Sequence, residues 1–85
     1  MHNHSITKVV TEHTTTLARI LGKRFSYARN EDIEDALQDA FEIYFRSAPE
    51  IARTDARVRF SWLLTVASRR LKRSLSLSLS LSLSL

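Results

Sequence analysis

The stretch from Asn30 to Ala48, NEDIEDALQDAFEIYFRSA, constrains the fold more than any other part of the chain. Ile33, Ala36, Leu37, Ala40, Phe41, Tyr44, Phe45 and Ala48 recur at steps of three and four, the apolar stripe of one amphipathic helix. Asn30 is placed to cap its start, Glu31 and Asp32 complement the positive end of its dipole, and Pro49 stops it. The other side carries Glu34, Asp35, Gln38, Asp39 and Glu42. One face therefore seeks a core, and the other offers carboxylates and an amide to a partner.

The rest of the chain reads as helices around that one. Residues 5–25 form a first helix, with Ile6, Val9, Val10, His13, Leu17, Ile20, Leu21 and Phe25 on one face and a frayed start before it. Thr14, Thr15 and Thr16 are β-branched and lower its intrinsic propensity, so it depends on packing. Residues 50–56 form a connection. A last helix runs over 55–73, with Phe60, Leu63, Leu64, Val66, Ala67 and Leu71 inward. One Gly and one Pro are too few for the turns of a sandwich or barrel. The expected fold is all-α, a compact three-helix domain over residues 1–73. Its core is Leu17, Ile20, Leu21, Ile33, Leu37, Ala40, Phe41, Tyr44, Phe45, Leu63, Val66 and Ala67.

Residues 74–85 alternate Ser and Leu. Strict alternation is the pattern of a half-buried strand, but no partner strand is predicted. A tract of alternating T and C, read in triplets, encodes Ser and Leu in turn. The tail is thus expected to be a low-complexity product of a slipped reading frame, adding a turn or two to the last helix at most.

The net charge of +4 hides an asymmetry. From Glu31 to Glu42 there are six acids (Glu31, Asp32, Glu34, Asp35, Asp39, Glu42) and no base. From Arg53 to Arg73 there are seven bases (Arg53, Arg57, Arg59, Arg69, Arg70, Lys72, Arg73) against Asp55 alone. Such a basic block attracts phosphate backbones. The alternative is two solvated faces, the usual meaning of a charge run. Trp62 reads either as a core aromatic or as a platform for an unpaired base. With no Cys, disulfides and Cys-based metal sites are excluded, and a reducing compartment such as the cytoplasm is compatible. His2, His4 and His13 lack the carboxylate or Cys spacing of a metal site. No apolar run approaches the roughly 20 residues of a membrane span, and the N-terminus lacks the layout of a signal peptide. Solvent-facing, helix-periodic acids and histidines near a chain end do not compose an active site, so no enzyme and no cofactor is expected.

Two segments together carry a resemblance: DIEDALQDAFEIYFR at 32–46, then RFSWLLTVASRRLKR at 59–73. Glu34-Asp35, Leu37, Gln38, Asp39 and Phe41, followed by Trp62-Leu63, Val66-Ala67 and Arg69-Arg70-Leu71, resemble region two of bacterial sigma factors of the extracytoplasmic-function type. The resemblance spans roughly residues 16–73. It implies that the chain binds core RNA polymerase, docking on the coiled coil of the largest subunit through Asp35, Gln38, Asp39 and Glu42, with Arg46 at the edge. It also implies recognition and melting of the minus-ten promoter element, held mainly as single-stranded non-template DNA by Arg57, Arg59, Trp62, Ser68, Arg69, Lys72 and Arg73. Transcription initiation in the cytoplasm, with an anti-sigma factor as a further partner class, completes the implied function. The chain departs from the family at Arg73, where an Asp is usual, at Ser68, where a basic or polar residue is common, and in the absence of region four. A second reading follows from that absence: a truncated interaction module that docks on polymerase without productive DNA binding. A third is a generic basic helical binder of duplex DNA.

Overall fold

A computed structural model describes the backbone of residues 2–84 and the side chains of residues 12–76. Among the described residues every regular element is helical: α1 (His2–Arg24), α2 (Asn30–Ser47), α3 (Glu50–Thr54) and α4 (Ala56–Ser84). The all-α expectation holds, with four helices rather than three. The first helix begins at His2, so the frayed start expected before residue 5 is part of α1.

The added helix is α3, within the expected connection. Pro49 cannot continue α2, and it holds Ala48 in extended backbone at φ −64°, ψ 142°. Pro49 then serves as the N-cap of α3. Five residues suffice to bring Ala52 into the core, where it is fully buried. Asp55 ends this helix in extended backbone (φ −115°, ψ 117°) and starts the next. Its carboxylate accepts from the Arg57 N–H at 2.9 Å and the Val58 N–H at 3.3 Å, satisfying two of the donors that a helix start leaves open.

The start of α2 differs from expectation. Arg29, not Asn30, is the N-cap, and a guanidinium has no acceptor to offer. Asp32 supplies the half of the capping interaction available here, accepting from the Arg29 N–H at 3.3 Å.

The core forms where α2 and α4 lie against each other, with α1 and α3 closing it. Leu17, Leu21, Ile33, Ala36, Leu37, Ala40, Phe41, Tyr44, Ala48, Ala52, Leu63, Ala67 and Leu71 are buried. The alanines at 36, 40 and 67 keep the facing surfaces shallow, so large neighbours such as Leu63 and Phe41 fit between the helices. Of the expected core, Ile20 and Val66 are half-buried and Phe45 is exposed. Phe45 lies one residue, about 100°, beyond buried Tyr44, which turns it off the core face. It keeps only an edge contact with the Tyr44 ring, at 5.1 Å between centroids.

Helix α4 continues through the Ser-Leu tail to Ser84, far past the turn or two expected. Continuing the helix pairs each tail amide within the chain itself, which a lone strand cannot do. At 29 residues α4 is about 44 Å long, close to the 49 Å longest dimension of the molecule.

Candidate functional site

The two predicted surfaces lie on different helices. On α2, Asp35, Gln38, Asp39, Glu42 and Arg46 are all exposed, at helical steps that set them along one side. The stripe that faces inward (Ile33, Ala36, Leu37, Ala40, Tyr44) is what holds that side outward. The acidic edge is thus exposed.

On α4, Arg57, Val58, Ser61, Trp62, Thr65, Val66 and Arg69 line an open groove of about 500 Å³. Successive members of the rows Arg57, Ser61, Thr65, Arg69 and Val58, Trp62, Val66 lie about one helical turn apart, so they form a continuous strip. Arg57 and Arg69 stand at its ends and Trp62 forms a wall. Thr65 donates its hydroxyl proton to the Ser61 backbone carbonyl at 2.9 Å, one turn back on the same helix. Trp62 is half-buried and meets Tyr44 nearly edge-on, with ring centroids 5.9 Å apart. One part of the ring thus packs against Tyr44, and another borders the groove.

Two of the seven residues expected to contact DNA point elsewhere. Arg59 donates Nε–H to Tyr44 Oη at 3.0 Å and to the Ala52 carbonyl at 3.2 Å, and its Nη2 donates to the Arg53 carbonyl at 2.7 Å. The cause is the break at Asp55, which leaves the last carbonyls of α3 without helical donors beside the first turn of α4. Ser68 has its hydroxyl enclosed, without a hydrogen-bond partner. It lies one helical turn from half-buried Leu64 and near buried Leu71, so it shares their side of α4. Arg53 is similarly engaged: it donates to the carbonyls of Ala48 at 3.1 Å and Tyr44 at 3.4 Å, and its guanidinium lies 6.0 Å from the Tyr44 ring centroid. A cation there meets the negative end of α2. Arg57, Arg69, Arg70, Lys72 and Arg73 remain exposed.

Ser61 and Thr65 line the groove although the resemblance names neither. Their i+4 spacing from Arg57 and Arg69 is a signal that was available.

His13 is the buried polar side chain of the described core, and its Nε2 has no hydrogen-bond partner. Its ring packs against Phe60 with centroids 5.7 Å apart. Burial holds the imidazole below its usual pKa; Arg59 adds to this and Glu12 opposes it. The His2 and His4 side chains lie outside the described residues. Among the described residues no group of three or more His, Cys, Asp and Glu is placed to hold a metal. No described helix is long and apolar enough to cross a membrane.

The chain matches no family model, no curated protein and no solved structure.

Proposed function

We propose that the chain acts as region two of a sigma factor, binding core RNA polymerase through α2 and the melted minus-ten strand through α4. The observation that carries this is the separation of charge: carboxylates exposed on one helix, cations exposed on another beside a half-buried tryptophan. Carboxylates facing a basic partner speed encounter and set register. Cations along a groove track phosphates, and an aromatic wall stacks on an unpaired base without needing its sequence. The motif resemblance supplies the identity of both partners.

Retention of core polymerase on the immobilised chain tests the reading. The parent chain should retain it, and the Asp35→Lys/Asp39→Lys double variant should not. Failure of the parent to bind core polymerase would remove the proposal.

A second reading, docking without productive DNA binding, has its own support. Arg59 and Ser68 are turned inward, so α4 offers fewer contacts than the motif implies. Titrating a minus-ten single strand across salt concentrations separates the two. Each phosphate contact on a single strand contributes about −0.7 to the slope of log K against log salt. A steep slope that flattens in Arg57→Ala and Arg69→Ala supports strand binding, and no affinity at low salt supports the docking module.

A further inference from the structure

We infer that the groove between α1 and α2 receives an apolar side chain from a partner helix whose adjacent face is basic. The inference rests on the proposed use of the acidic edge for docking and adds the chemistry of what docks there. Thr14, Glu34, Leu37, Gln38 and Phe41 line an open groove of about 270 Å³. Leu37 and Phe41 form its floor, both buried in the core, and Thr14 closes it from α1. The volume lies below the roughly 300–1,000 Å³ usual for small-ligand sites and suits one or two side chains.

Charge decides the occupant. Residues 34, 37, 38 and 41 form one stripe of α2, and Asp35, Asp39 and Glu42 form the next stripe round the helix. Gln38 belongs to both. A helix lying along the acidic stripe with lysines or arginines therefore carries its neighbouring face over the groove. An apolar residue on that face meets Leu37 and Phe41 there. The two contacts divide the work: exposed charge governs association rate, and the enclosed apolar side chain governs dissociation.

The test uses two helical peptides, each with one lysine stripe, differing only in a central residue beside the stripe, leucine or serine. The parent chain should bind the leucine peptide roughly tenfold more tightly, with the difference in dissociation rate. Thr14→Phe fills the groove and should abolish that preference while the salt dependence of association persists. Thr14→Val, which removes the hydroxyl without filling, should keep it. Equal affinity of the two peptides for the parent chain overturns the inference whatever the variants do. Core polymerase, run in parallel, separates this from the wider reading: leucine preference without polymerase retention leaves the groove assigned and removes the polymerase, and polymerase retention without leucine preference does the reverse.

Discussion

Arg59 donates to Tyr44, Ala52 and Arg53, and so joins the ends of α2 and α3 to the first turn of α4. By sequence alone it is one more cation in a basic helix. A guanidinium that caps carbonyls and one that waits for phosphate have the same spacing, and only the turn at Asp55 distinguishes them. Arg59→Ala is expected to lower stability by about 1–3 kcal/mol, the cost of leaving partly buried carbonyls unpaired. Arg59→Lys should recover little, because an ammonium cannot span three acceptors with a planar fork. Urea denaturation measures both, and Arg69→Ala, at an exposed position, serves as the comparison. His13 predicts a pH effect. Its folded-state pKa lies below the ordinary 6.5, so the unfolded chain takes up the proton more readily. Stability should be full above pH 6.5 and fall as pH drops through the window between 6.5 and the lower folded value. Thermal melts between about pH 5 and 8 should show this slope, and His13→Leu should flatten it. An unchanged slope in the variant would assign the effect to other groups.

At the scale of elements, period 3.6 makes α2 and the first half of α4 legible, because each places an apolar side chain inward at nearly every turn. It does not reveal α3. That helix is five residues long and contributes a single buried side chain, Ala52, so it has no periodicity to read. The break that creates it depends on Pro49 and Asp55, whose roles are local. Asp55→Ala should cost about 1 kcal/mol through loss of the two amide contacts, and Asp55→Asn should cost less because its side-chain oxygen caps as well. A denaturation midpoint unmoved by Asp55→Ala would show that the corner is held by Arg53 and Arg59 alone. The exposure of the acidic edge of α2 is legible, since its residues need only lie on the polar side. The α4 surface was legible in part. Ser68 is small and polar, and such a residue gives no sign of being enclosed when its neighbours one turn away are leucines.

At the scale of the molecule, the buried core of the described residues reaches Leu71, with Leu75 half-buried beside it. Helix α4 is about 44 Å long, against about 27 Å for α2. The alternating tail misleads a reading by period because its repeat fits a strand while its surroundings provide no strand to pair with. Truncation after Ser76 should change stability by less than about 0.5 kcal/mol, the range of surface changes away from the core. A larger loss, measured by chemical denaturation, would show that the repeat packs against the domain.

The groove on α4 belongs to a single unbroken helix. Arg57 and Arg69 are therefore spaced like marks on a ruler, about 18 Å apart along the axis. No loop between them can lengthen or shorten that interval. A flexible polyanion that bridged both would have to conform to the helix's pitch, with the helix as the template and the polyanion as the part that bends.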